Sequence, residues 1–155
     1  MFAKLLATTN EPAALIARLA LAIVIFPHGA QKVFGWFGGG GFQATMQGFG
    51  SMGIPAPLAF LAVLAEFPGT LALFLGLLTR VAAFGILCNM TVAATLVSAP
   101  NGFFMNWYGT QKGEGYEFHL LAIGLALVAL IKGGGAFSLD SVLTTKLQRK
   151  VASDD

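Results

Sequence analysis

Apolar positions along the chain gather into four blocks with helical period, separated by one tight turn and by two loops rich in glycine and aromatic residues. In the block from Pro57 to Leu78, Phe60, Leu64, Phe67, Leu71, Phe74 and Leu78 recur at spacings of four and three and form one bulky stripe. Ala59, Ala62, Glu66, Gly69, Thr70 and Gly76 take the opposite side. A bulky stripe suits lipid and a small one suits neighbouring helices, so the block predicts a membrane span over 57–78 with Glu66 turned inward. Pro68 has no amide to donate, which leaves the Leu64 carbonyl without its usual partner within a turn of Glu66. Gly69 loosens the same place.

The other blocks predict spans over 12–30, 81–99 and 116–136. Thr9 or Asn10 can cap the first, with Glu11 and Pro12 suited to its opening turn. Arg18, Ile25, His28 and Lys32 fall roughly on one side of it, so its polar face is basic. The third has no charge; its strongly polar side chain, Asn89, shares a face with Ala82, Gly85 and Ala93. The fourth has Glu117 and His119 at its entrance and Lys132 at its exit. Tyr116 to Ile131 reach only ~24 Å against a ~30 Å hydrocarbon core, unless Gly133 to Ala136 continue the helix. Glu117 and His119 are two positions apart, so they cannot both face the bundle. Ser138 can cap a terminal helix over 138–150, with Leu139, Val142, Leu143 and Leu147 on one face and Lys146, Arg149 and Lys150 polar. That tail is expected to lie on the membrane surface. Gly35 to Pro57 shows no apolar period and reads as an interfacial aromatic belt or short re-entrant piece around Trp36, Phe37, Phe42 and Phe49.

Composition turns this pattern into a class. Of 155 residues, 56% are hydrophobic and 10% charged, against ~25% charged in a typical soluble domain. The expectation is an all-α integral membrane four-helix bundle with a short interfacial C-terminal helix, one domain over 1–155, without room for a separate soluble catalytic domain. A net charge of +2 sits at the span edges, which argues against nucleic acid. The run Gly38 to Gly41 lacks the following Lys-Ser/Thr of a phosphate loop. Cys88 is the single cysteine, so a paired-cysteine redox motif and an internal disulfide are excluded, and it reads as a small packing residue. Arg18 interrupts the first apolar run and no small-residue cleavage site follows, so this run is read as a retained span.

Lys4, Arg80, Lys132, Lys146, Arg149 and Lys150 lie on the side of the termini, and Lys32 and Lys112 on the other. The positive-inside rule then puts both termini in the cytoplasm and both aromatic loops outside. Counted at ~1.5 Å per residue, Arg18, Glu66 and Asn89 all reach the midplane. An acid there needs a partner or a wet cavity. Arg18 is the expected ion-pair partner of Glu66, with Glu66 as a proton relay. His28, Lys32, Glu117 and His119 gather at the outer edge.

The segments from Arg18 to Phe42, Ala65 to Arg80 and Gly115 to Asp140 resemble the DoxX family of small four-helix bacterial inner-membrane proteins. The resemblance rests on Arg18, the HG-x-x-K of His28 to Lys32, the glycine-rich loop, Glu66 with Gly69, the G-L-x-T-R of Gly76 to Arg80, Glu117, and Ser138-Leu139-Asp140. The family takes its name from a subunit of a thiosulfate:quinone oxidoreductase, so the resemblance implies a redox or quinone-linked role in the bacterial inner membrane. In that reading Arg18, His28, Lys32, Asn89 and His119 bind the ligand, a quinone, and Glu66 carries protons. Electrons would come from a partner protein, because the chain has no cysteine cluster, flavin motif or covalent haem motif. His28 and His119 at similar depth would permit axial haem ligation, for which two histidines are a weak signal. No metal site is expected. The alternative is a non-enzymatic module: a scaffold, an assembly factor, or a binder of small molecules or lipid, as a monomer or homo-oligomer.

Overall fold

A computed structural model describes residues 5–154. Lys4, counted for topology, lies outside them. Helix α1 spans Pro12–Phe34, α2 Gly41–Ser51, α3 Ala56–Glu66, α4 Pro68–Leu75, α5 Thr79–Ala93, α6 Glu117–Lys132 and α7 Leu139–Asp154. The described residues are helical with connecting turns and contain no strand. α3 and α4 are the two halves of the second span, and α5 runs on through a π-helical turn, Ala94–Ser98, and a 3-10 turn, Ala99–Asn101. Three stretches, Pro12–Phe34, Ala56–Leu75 and Thr79–Asn101, are long and apolar enough to cross a membrane. α6 has 16 residues and stops at Gly133, whose φ of 78° ends the helix, so Gly133 to Ala136 do not lengthen it.

Small residues let these helices approach. The core joins Leu21, Ala22 and Ile25 of α1 to Leu73 of α4, Ala82, Ile86 and Met90 of α5, and Ala122 and Ala126 of α6. α5 packs most extensively on α6, and α1 lies against both α4 and α6. The two stripes of the second span point as their residue sizes require: Phe60, Leu64, Leu71 and Phe74 face outward, while Ala59, Glu66 and Thr70 are buried. Cys88 also faces outward and does not pack inside.

Two local expectations fail. Thr9 and Asn10 do not cap α1: Glu11 holds the cap position without a side-chain bond, and Pro12 begins the helix. The Thr9 amide instead donates to the Lys132 carbonyl at 3.1 Å, and Glu11 pairs with Lys132 at 3.1 Å, fastening the N-terminal segment to the end of α6. In the glycine-rich stretch, α2 forms where no apolar period was visible. Glycines dilute the pattern there, and the helix is held by packing on α1 and α3, with Thr45 Oγ1 donating to the Lys32 carbonyl at 3.2 Å and Phe42 edge-on to Phe60.

Candidate functional site

The site begins with a glycine. Gly29 of α1 is buried, and a Cβ there would stand 2.5 Å from the Glu66 carbonyl oxygen and 2.9 Å from the Phe67 Cα. Only hydrogen fits, so the two backbones touch where the second span breaks. The break follows from Pro68, with Phe67 left between α3 and α4 at φ −98°, ψ −69°. Thr70 Oγ1 steadies it by donating to the carbonyls of Glu66 at 2.7 Å and Phe67 at 2.9 Å.

That contact brings Lys32, three residues beyond Gly29, onto Glu66. Lys32 Nζ pairs with Glu66 Oε2, and Asn89 Nδ2 donates to Oε1 at 2.6 Å. Both carboxylate oxygens are therefore occupied, and a side chain only 5% exposed is neutralised by one that is 26% exposed. Asn89 thus tethers α5 to the carboxylate through its amide.

Arg18 does not meet Glu66, which corrects the expected ion pair. Its guanidinium is buried near the other end of α1, ~21 Å along the axis from Lys32. Nε donates to the Gly134 carbonyl at 2.8 Å, Nη1 to those of Leu73 at 2.5 Å and Phe74 at 2.9 Å, and Nη2 to Ala136 at 3.4 Å and Phe137 at 3.3 Å. Leu73 and Phe74 stand in the last turn of α4, where the Leu73 carbonyl also accepts from the Gly76 amide at 3.1 Å, and the planar five-donor fork joins that helix end to the 134–137 turn. Arg80 does the same for α6, donating to Leu130 at 2.8 Å and Ile131 at 2.9 Å. Neither arginine is placed to bind a ligand beside Glu66.

A cavity of about 190 Å³ opens above the Lys32–Glu66 pair, toward the side of the aromatic loops. Its polar lining is His28, Lys32, Glu66, Glu114 and His119; Ile25, Met90, Met105 and Phe118 supply apolar surface. His119 Nδ1 is buried with no hydrogen-bond partner. His28 is exposed, and its ring lies 5.8 Å from that of Phe118. Glu117 turns the other way: Oε1 accepts from the Met105 amide at 2.8 Å and from Trp107 Nε1 at 3.0 Å. Glu114 Oε2 accepts from the Asn106 amide at 2.7 Å. These bonds shape the loop that sets Met105 over the cavity. Sequence reasoning missed Met90, Met105, Phe118 and Glu114, since methionine and phenylalanine read as core and a loop acid as solvated. Among the described residues no cluster of His, Cys, Asp and Glu could hold a metal ion.

Sequence comparison adds relatives to this geometry. A family model described as DoxX matches residues 13–99, and one described as TQO small subunit DoxD matches 57–153. The inner membrane protein YqjF of Escherichia coli (strain K12) is 32% identical over 132 residues, 85% of this chain and 92% of its own. The inner membrane protein YphA of the same organism is 31% identical over 133 residues, 81% and 86% of the two chains. CatD of Bacillus subtilis (strain 168), provisionally named an oxidoreductase, is 31% identical over 88 residues, 57% and 60%. No solved structure matches. Since the DoxX match covers more than half of the sequence and YqjF nearly all of it, the chain belongs to the DoxX family of membrane proteins.

Proposed function

We propose that this chain is a redox-associated subunit of the bacterial inner membrane that receives a quinone headgroup in the cavity between α1 and α6. The observation that carries this reading is the cavity itself, on whose lining His28 and His119 stand with the Lys32–Glu66 pair among apolar side chains. Ligand cavities are lined mainly by apolar side chains with a few polar groups that fix orientation, and this one has that make-up. A quinone carbonyl is an acceptor of suitable kind for an imidazole N–H. The volume exceeds the ~150 Å³ that admits one benzene ring and falls short of the ~300 Å³ at which drug-sized pockets begin. A single ring fits, with an isoprenoid tail left among the lipids. The names of the DoxD family and of CatD point to the same class of chemistry.

In this reading His28 and His119 orient the ring and pass protons, and Lys32 and Glu66 form the reserve behind them. Glu66 gives or takes a proton only when Lys32 shifts, because both of its oxygens are engaged. Electrons come from a partner protein. Both termini are cytoplasmic and the cavity opens outward. A second reading, a scaffold for a partner without a ligand of its own, is favoured by the loop before α6, where a hydrogen-bonded framework presents Trp107 at 77% and Tyr108 at 92% exposure.

The test is calorimetric titration of the nanodisc-embedded protein with short-tailed benzoquinone and naphthoquinone, together with mass spectrometry of its lipid extract. The benzoquinone should bind and the fused-ring compound bind less well; His119→Phe should abolish binding while Cys88→Ser leaves it intact. No binding and no co-extracted quinone, with a protein partner purified in fixed ratio, would establish the scaffold instead.

A further inference from the structure

Phe137, just before α7, has φ 51°, in the left-handed region that a bulky side chain rarely enters, and 90% of its surface is open. Its carbonyl and that of Ala136 both accept from Arg18 Nη2. A buried guanidinium thus helps hold a strained backbone that turns an aromatic ring outward. Three residues on, Asp140 is 1% exposed and accepts from the amides of Leu78 at 2.7 Å and Thr79 at 2.9 Å, while its own amide donates to the Gly76 carbonyl at 2.9 Å. This pins the first turn of α7 to the start of α5, a helix long and apolar enough to span the bilayer, so α7 starts at the membrane's edge.

The faces of α7 are distributed unusually for a solvated helix. Asp140 and Thr144, one turn apart, face the protein, Thr144 Oγ1 donating to the Leu6 carbonyl at 3.0 Å. Leu139, Val142, Leu143 and Leu147 turn away and are 37–49% exposed. At ~100° per residue Lys146 falls inside that apolar sector and Arg149 at its border, whereas the neutral Ser141, Thr145 and Gln148 occupy the remaining side. A helix in water sets its cations opposite its apolar residues. A helix in the headgroup layer keeps aliphatic side chains in the acyl boundary and lets lysine and arginine stems reach phosphates beside them. Lys146 and Arg149 form no salt bridge among the described residues. We propose that this face of α7, anchored by Phe137, binds the anionic phospholipid headgroups of the leaflet on its own side of the membrane.

The test follows amide hydrogen exchange of residues 139–149 in the full chain, in nanodiscs of phosphatidylcholine with or without phosphatidylglycerol. Phosphatidylglycerol should slow exchange by up to about thirtyfold, the contribution of two cations near an anionic surface, and the double variant Lys146→Gln/Arg149→Gln should remove that difference. Phe137→Gly suits the positive φ, so it should keep or raise thermal stability in detergent while weakening protection in both lipids. Equal exchange in the two lipids overturns the proposal, as does protection that survives the double variant. Protection reproduced in phosphatidylcholine by excess inorganic phosphate, or only when another protein co-purifies, overturns it too.

Discussion

A carboxylate held by one cation and one amide in the interior of a bundle responds sharply to the loss of either. Lys32→Met leaves Glu66 charged and stranded and should cost ~3–5 kcal/mol, read as lost folded yield and a lower unfolding temperature in detergent. Adding Glu66→Gln removes the stranded charge while a side-chain oxygen still faces Asn89, so the double variant should recover most of that loss. Glu66→Gln combined with Arg18→Gln should not recover, because the arginine serves carbonyls and not the carboxylate. Arg18→Lys is itself damaging, by about 2 kcal/mol or more, since one ammonium cannot replace a planar fork bonded on three nitrogens.

Among the helices, α1 meets the junction of α3 and α4 at a contact that depends on the missing Cβ of Gly29. Gly29→Ala must push the backbones apart and draw Lys32 off Glu66, at a cost of about 3 kcal/mol from overpacking plus the weakened pair. Gly124, in the middle of α6, has open space where a Cβ would stand, with nothing within 4 Å, and supplies the control. Gly124→Ala should stabilise by roughly 0.5–1 kcal/mol, because alanine loses less backbone freedom in a helix. Thermal unfolding of both variants in one detergent checks the pair, and equal effects would remove Gly29 from the site's foundation. The same contact explains why Lys32 is unsuited to a purely functional test: its substitution disturbs folding and ligand contact together, whereas His28→Ala disturbs only the cavity's mouth.

For the molecule as a whole, the two ends do different work. One end is closed by Arg18, Arg80 and Asp140, which satisfy helix termini and join the tail to the bundle. The other end holds the cavity under a loop shaped by Glu114 and Glu117. A reporter fused at the C-terminus should register cytoplasm, and one inserted at Gly113 should register the outside. Reversed signals would place the cavity on the cytoplasmic face and make the partner that supplies electrons a cytoplasmic one.

Hydrophobic periodicity is a local property, and what it reports was legible: the membrane class, the helical blocks, the inward side of Glu66 and the Pro68 break. The chemistry around Glu66 was legible only as a set of residue types, with Lys32, Asn89, His28 and His119 all named from sequence. Which cation answers the acid was not, because pairing depends on how closely two backbones pass and on which carbonyls come within reach once distant segments meet. Gly29 decides the first, bringing Lys32 to Glu66. The ends of α4 and α6 decide the second, claiming Arg18 for carbonyls 55 to 119 residues away and Arg80 for those of Leu130 and Ile131. Helix α2 escaped for a related reason: its own residues bury nothing, and only its contacts with α1 and α3 make it a helix.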